Sequence, residues 1–302
     1  MPTLLELTSQ GDVATISDDS YLNRSLKLMS PQQLYELWER QQWQSQAIDL
    51  EQDKADWQNL TQEERDDFMW GFSAFFVGEE RVTTEFSGLV MSYEDEQEEA
   101  FLTTQQVDEA RHMQFFDRFC REVLAWDQPD IRGRLARARE DLNEAYVRLF
   151  DGALVDAGRR LVADPKDMDA KVDFITAYHM VIEGTLALTG QNFLPRYFEE
   201  RGVMPGFVEG FGRIARDEHR HVAYGTWFLQ QKASDEALVK RIQDKLVELL
   251  PDAAEVLVPP GYELGDDYTY MGFTAEEQNA YAFTALSRRL KVIGVALPGV
   301  PA

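Results

Sequence analysis

The chain has 302 residues, 44% of them hydrophobic, and a formal net charge of -24 at pH 7. The apolar content supports a sizeable core, while the acidity disfavours nucleic acid and anionic membrane surfaces as partners because the field repels phosphate. The lone cysteine, Cys120, excludes an intrachain disulfide and sits beside Phe119 as a core residue rather than a reactive thiol.

Residues 1–29 show no sustained hydrophobic period and read as an arm or an irregular segment. Ser30-Pro31 predicts a helix start, with serine as N-cap and proline in the first turn, and the short helix runs to about Trp43. Ile48-Asp49-Leu50 reads as extended and is followed by an acidic stretch to Trp57. Thr61-Gln62-Glu63-Glu64 is a capping box that opens a first long helix to about Met91, roughly 45 Å at the helical rise. A second long helix runs from about Glu96 to Leu124. Pro129 opens a third to about Ala157, whose arginine-rich face marks an outer or connecting helix. Asp164-Pro165 is a turn, a helix covers about Asp167 to Phe198, and Gly202 to Pro205 breaks the chain before another long helix. Ser234 caps a helix to about Leu250; Pro251, Pro259, Pro260 and Gly261 mark a loop; Thr274-Ala275-Glu276-Glu277 caps a last helix to about Val292. No strand pattern of any length is present. The expectation is an all-α chain forming a single domain over 1–302, with a bundle core over about 61–232 and a helical extension over about 234–302.

Met1 to Gln10 lacks the basic start and apolar run of a secretion signal. The longest apolar stretch, Phe68 to Val77, is too short to span a bilayer. A cytoplasmic protein with no transmembrane segment is therefore expected.

One pentapeptide pattern occurs twice, as Asp108-Glu109-Ala110-Arg111-His112 and Asp217-Glu218-His219-Arg220-His221. A carboxylate and an imidazole three residues apart lie on one helix face, so both can reach one metal ion. A lone Glu-x-x-His most often sits on a solvated face, but here the periodicity opposes that reading. In steps of three and four, one copy gives Phe207, Phe211, Ile214, Glu218, His221, Gly225, Phe228, and the other Leu102, Gln105, Glu109, His112, Phe116, Phe119, Val123. Upstream, Phe68, Phe72, Phe75, Glu79, Val82, Phe86, Leu89 is an apolar seam interrupted by one carboxylate. Between Asp173 and Arg196 the only charged residue is Glu183. The order Glu, Glu-x-x-His, Glu, Glu-x-x-His is the ligand set of ferritin-like di-metal four-helix bundles. Four ionised carboxylates cannot share a core uncompensated, no lysine or arginine falls on the three seams written out, and two divalent cations would neutralise them. Carboxylates with two imidazoles suit iron or manganese better than zinc or calcium, and such a redox pair in a dry core can reduce dioxygen.

Ile48-Asp49-Leu50, Gly78-Glu79-Glu80-Arg81-Val82-Thr83, the first pentapeptide, Tyr178 with Ile182-Glu183-Gly184-Thr185-Leu186-Ala187, and the second pentapeptide together resemble the ligand-binding oxidases related to the small subunit of ribonucleotide reductase, over roughly Trp43 to Phe228. The resemblance implies a manganese/iron pair, with di-iron as the alternative, bound by Glu79, Glu109, His112, Glu183, Glu218 and His221. It also implies a long-chain fatty acid with its carboxylate on the metals, and oxidation by dioxygen that joins a valine to a tyrosine through an ether bond. The matching residues are Val82 and Tyr178, and a homodimer is expected. From spacing alone Val82, one turn beyond Glu79, would be ordinary core, and Tyr178 a buried tyrosine with a bonded hydroxyl. Tyr178 lies five residues before Glu183, off its face on an ideal helix, so a π-type widening is expected there. Gln191-Asn192 departs from the family, which carries aromatics at that place, and leaves the shape of the ligand pocket open.

Three rivals share parts of the pattern. A ribonucleotide reductase small subunit has the same six ligands; the position of its usual radical-forming tyrosine is Phe116 here, but some small subunits lack that tyrosine and use a manganese/iron pair, so only the end Val295-Ala296-Leu297-Pro298-Gly299-Val300-Pro301-Ala302, with no tyrosine to relay a radical, argues against all of them. An acyl-carrier-protein desaturase is similar at Asp-Glu-x-Arg-His. A metal- and fatty-acid-binding protein without turnover would form the cross-link once, as maturation.

Overall fold

The structure is a computed structural model that describes residues 27–297. Residues 1–26 of the expected arm and 298–302 of the carboxyl end lie outside the described residues.

Helix α1 (Pro31–Arg40) starts at Ser30, whose side chain and the Gln33 side chain close a reciprocal capping box. A 3-10 turn at Ser45–Ala47 and α2 (Glu51–Asn59) lead to α3 (Gln62–Met91), opened by the Thr61/Glu64 capping box. Asp95 accepts from Gln97 and Glu98 and starts α4 (Glu96–Glu122). Shorter pieces follow: α5 (Ile131–Ala138), a 3-10 turn at Arg139–Asp141, α6 (Glu144–Tyr146), a π segment at Val147–Leu154, and α7 (Val155–Ala163). The next long helix is compound: α8 (Met168–Ile175), a π segment at Thr176–Ala187, and α9 (Leu188–Arg201), which ends at Gly202 in the left-handed conformation. Then come α10 (Pro205–Lys232), α11 (Glu236–Val256), a two-stranded hairpin pairing Thr269 with Thr274 and Tyr270 with Phe273, and α12 (Ala275–Ile293).

The fold is all-α and ferritin-like, with α3, α4, the α8–α9 helix and α10 as its four long members. α3 packs along α4, and α10 along α9 and the second π segment, while α11 and α12 cover that π segment from outside. Phe68, Phe72, Phe116, Phe119, Phe207 and Phe211 form one aromatic layer of the core, with Phe68 edge-on to Phe207 at 5.0 Å and Phe72 edge-on to Phe116 at 5.2 Å. α10 comes close to the π segment because residue 225 is glycine: a Cβ there would lie 2.2 Å from the Cβ of His179. Among the described residues no helix is long and apolar enough to cross a membrane.

Several sequence expectations need correction. The third helix to Ala157 is broken at Arg139–Asn143, where Asn143 starts a new turn by accepting from Tyr146. The helix cap near residue 234 is Asp235, not Ser234, and Pro251 lies inside α11, which continues to Val256 rather than yielding to a loop. The acidic stretch after Leu50 is helix α2, and its Asp53 accepts from the backbone of Gly206 and Phe207 at 2.9 and 2.6 Å. Asp53 thereby caps α10 from a distance, since the residue before Pro205, Met204, offers no side-chain cap. On α3 the fully buried position is Phe76, while Phe75 is half-buried.

Candidate metal centre

The four long helices bring Glu79, Glu109, His112, Glu183, Glu218 and His221 into one cluster, each no more than 7% exposed. They form two overlapping groups whose potential ligand atoms lie within 4.8 Å of one another: Glu79, Glu109, His112 and Glu218, and Glu109, Glu183, Glu218 and His221. Glu109 and Glu218 belong to both. His112 Nδ1 is 3.2 Å from Glu79 and Glu218 and 3.7 Å from Glu109, and His221 Nδ1 is 2.9 Å from Glu109 and 3.2 Å from Glu183 and Glu218. No lysine or arginine among the described residues forms an ion pair with any of the four glutamates, so the cluster has the donors of a two-cation site and no protein cation beyond its own imidazoles.

Burial and the two imidazoles move the proton affinities of the cluster's carboxyls in opposite directions. Burial raises the carboxyls of Glu79 and Glu183 well above the usual range. Burial also acts on Glu109 and Glu218, but the two imidazoles outweigh it and hold both below the usual value. His112 and His221 are driven upward despite burial, chiefly by the carboxylates of Glu79 and Glu109 respectively.

The outer nitrogens of the histidines are held crosswise. His112 Nε2 meets Asp217 at 3.3 Å, and His221 Nε2 meets Asp108 at 3.3 Å. Each pentapeptide thus supplies the aspartate that orients the other's histidine. Arg220, 1% exposed, donates to both aspartates at 2.8 and 2.7 Å, and Trp38 and Trp43 donate to Asp108 and Asp217 at 2.9 and 2.5 Å. Such partners fix the ring orientation and tautomer of a ligating histidine.

The second π segment places Tyr178. Its backbone bonds run five residues back, as does that of Thr185 Oγ1 to the Met180 carbonyl at 2.8 Å, so residues five apart share a face. Tyr178 Oη consequently donates to Glu183 on its own segment, and lies 2.6 Å from Glu109. Gln105 donates to the same phenol oxygen at 3.1 Å and contacts His179 Nε2 at 3.2 Å. Burial keeps His179 neutral, its Nδ1 without a hydrogen-bond partner among the described residues.

An apolar cavity of about 110 Å³ begins at Glu79, Glu109, Glu183 and Glu218 and is walled by Val82, Tyr178, Ile182, Leu186, Phe193 and Leu194 among others. Val82, 3% exposed, and Tyr178, fully buried, therefore face the same space beside the cluster. Gln191 and Asn192 do not line it; Gln191 is buried with its amide unpaired among the described residues. Phe116, packed edge-on to Phe72 and Phe211, occupies the place one turn beyond His112.

Sequence periodicity did not find Asp108 and Asp217 as histidine partners, nor Arg220, Trp38, Trp43, Gln105 or His179. The pentapeptide contains the first three, yet i to i+4 spacing would have paired each aspartate with its own histidine. Gln105 was visible only as a polar residue on an apolar seam.

The family described as "Ribonucleotide reductase, small chain" matches residues 25–295. Solved structures with the same fold include an R2-like ligand-binding oxidase from Sulfolobus acidocaldarius, 25% identical, with TM-score 0.74 over 90% of this chain and 92% of that one. An R2-like ligand-binding oxidase with aerobically reconstituted Mn/Fe cofactor is 26% identical, with TM-score 0.73 over 87% of this chain and 92% of that one. A glycine-to-phenylalanine mutant with anaerobically reconstituted Mn/Fe cofactor is also 26% identical, with TM-score 0.73 over 88% and 93%.

Proposed function

The chain belongs to the ribonucleotide reductase small-chain family, and on that premise we propose that it is a dioxygen-activating oxidase holding one manganese and one iron, rather than the radical-supplying subunit of a reductase. The observation that carries this reading is the placement of a phenol and a valine in one apolar cavity beside the carboxylate cluster. In the proposed assignment Glu79, Glu109, His112 and Glu218 hold one metal, and Glu109, Glu183, Glu218 and His221 the other. Oxygen donors with two imidazoles suit both ions, and the solved relatives with a Mn/Fe cofactor favour that pair over two irons.

When bound, the metals supply two electrons and the oxidising chemistry at which dioxygen is reduced. The chain supplies the other two electrons. Val82 gives up a C–H hydrogen and Tyr178 its O–H hydrogen, a carbon–oxygen bond joins them, and four electrons with four protons, two of these from solvent, take dioxygen to two waters. Glu109 and Glu183 accept the phenol hydrogen bond and are placed to take its proton, while Gln105 donates to the phenol oxygen and holds it toward the cavity. The apolar walls exclude water from an oxidising site.

We place the carboxylate of a long-chain fatty acid among the cluster and its tail along the apolar lining between α3 and α9; at about 110 Å³ the cavity holds only a few methylenes, so its walls part when the chain enters. Four glutamates against two trivalent metals leave positive charge that an anionic head would offset in a dry site. A desaturase has no use for a phenol bonded to two cluster glutamates, and a binder without turnover differs only in whether oxidation stops after one event. The test is reconstitution with manganese and iron without oxygen, followed by air, elemental analysis and peptide mapping. Two metals per chain and joined Val82 and Tyr178 peptides are expected. Separate peptides in a fully loaded, oxygen-consuming protein would return the chain to the reductase or desaturase reading.

A further inference from the structure

The cavity's lining follows α3 from Val82 to Trp70, about 18 Å at the helical rise, and the C-terminal extension contributes Val256, Leu257, Gln278 and, against Trp70 and Gly71 at the end away from Val82, Tyr270. Tyr270 belongs to the short hairpin between α11 and α12. Met271 and Gly272 at its tip have φ of 48° and 81°, the left-handed pair of a tight two-residue turn that fixes where the flanking side chains point. On the other strand Phe273 packs on Phe193 at 4.7 Å, and its carbonyl accepts from Gln278 at 3.2 Å. The hairpin is thus fastened to both α9 and α12.

Tyr270 reaches from this mount to the wall of α3. Its ring is edge-on to Trp70 at 4.8 Å and its hydroxyl donates to the Asp67 carbonyl at 2.9 Å. Its tip rests on the α3 backbone at Gly71, where a Cβ would lie only 2.4 Å from the hydroxyl oxygen. Trp70 also lines a separate surface cleft with Asp66, Glu140, Asp141 and Glu255. Trp70 therefore stands between the apolar cavity and that cleft, and Tyr270 backs it on the cavity side.

We infer that Tyr270 is the plug that closes the far end of the cavity and determines the longest aliphatic chain it accepts, an inference that rests on the proposed reading of the cavity as the seat of a long-chain fatty acid. A chain anchored by its carboxylate at the metals ends at a fixed distance from them, and what stands there is the phenol ring. Shortening that ring lengthens the cavity along α3 beyond Gly71. Glycine at position 71 has a matching role, since any side chain there would displace the plug.

The test uses the full chain loaded with manganese and iron, produced in one host, with extraction of bound acids and mass spectrometry of their length distribution. Tyr270→Ala and Tyr270→Leu are expected to shift the distribution to longer chains. Relative occupancy should rise about fourfold for each methylene newly buried, from the transfer free energy of one CH₂. Tyr270→Leu keeps an apolar foot for the hairpin should the alanine variant fail to fold. Tyr270→Phe keeps the ring and should leave the distribution as it is. Residue 270 acting only as an anchor for the extension would lower stability in the truncated variants without moving chain length. Metal-loaded, helical truncation variants with the parent's distribution would therefore overturn the plug alone. A parent protein carrying no aliphatic acid would overturn the cavity reading and the plug with it.

Discussion

Replacing Asp217 by alanine should weaken one metal position and largely spare the other. The Asp217 carboxylate accepts from His112 Nε2 at 3.3 Å and is 2.7 Å from Arg220, and its proton affinity is held far below the usual range even though burial opposes this. It is thus a permanent anion directed at the outer nitrogen of the histidine in the group of Glu79, Glu109 and Glu218. Loss of such a partner costs a ligating histidine about 10- to 100-fold in metal affinity, or about 1.4 to 2.7 kcal/mol. Arg220 keeps Asp108 at 2.8 Å, so the variant does not strand a buried guanidinium. Asp108→Ala should do the same to the position that uses His221, since Asp108 accepts from His221 Nε2. The assay is anaerobic metal titration against a chelator, with diffraction at the manganese and iron edges to show which position empties. Equal weakening of both positions by either variant would refute the crosswise support, and unchanged affinity in both would refute the role of the aspartates altogether.

Tyr178→Phe should retain both metals and abolish the joined peptide, because the lost hydroxyl contacts the glutamates without being one of the proposed ligands; peptide mapping and elemental analysis check this. Gln105→Leu should retain metals but lower the yield of joined peptide, since it removes the Gln105 amide that donates to the phenol oxygen. Metal uptake should release protons and strengthen as pH rises. His112 and His221 lie well above their usual value in the metal-free cluster and must lose a proton to ligate, which calorimetry in buffers of different ionisation enthalpy reads directly. In the Thr61 capping box the Glu64 carboxyl is lowered from 4.5 to about 2, first by the Thr61 backbone N–H. Its stabilising contribution is present above pH 4.5 and lost as pH falls through 2, so Glu64→Gln should flatten the acid limb of the stability curve. Thr61→Ala should cost about 1 kcal/mol in denaturant titration.

The bundle was legible because its signals are local. Capping boxes at Thr61 and Thr274 and apolar steps of three and four along α3, α4 and α10 give helix starts and inward faces without knowledge of the neighbours. Glu79, Glu109, Glu183 and Glu218 stood out because a carboxylate on an apolar stripe contradicts its surroundings. Local signals mislead where the competing interaction is distant. The stretch after Leu50 looked like an acidic linker, but its Asp53 is spent on the backbone of α10, more than 150 residues away. Pro251 looked like a stop, yet α11 continues through it.

The site itself shows the limit most clearly in its aspartates. Each stands four residues before a histidine of its own helix, and helical spacing alone favours that pair. The histidines instead turn their Nδ1 atoms inward to the carboxylates, so each Nε2 points outward, across the gap toward the opposite pentapeptide. That choice depends on α4 and α10 facing each other with Arg220 between their aspartates, a relation between two helices that neither sequence segment contains. The same holds for Tyr178. A five-residue offset from Glu183 places it off the face of an α-helix, and only the widened Thr176–Ala187 segment turns its hydroxyl onto the cluster. Restoring regular α-helical pitch there, by deleting one residue of the segment, should withdraw the phenol and end cross-linking while the flanking helices remain; a joined peptide surviving that deletion would show that the π geometry is not what presents Tyr178.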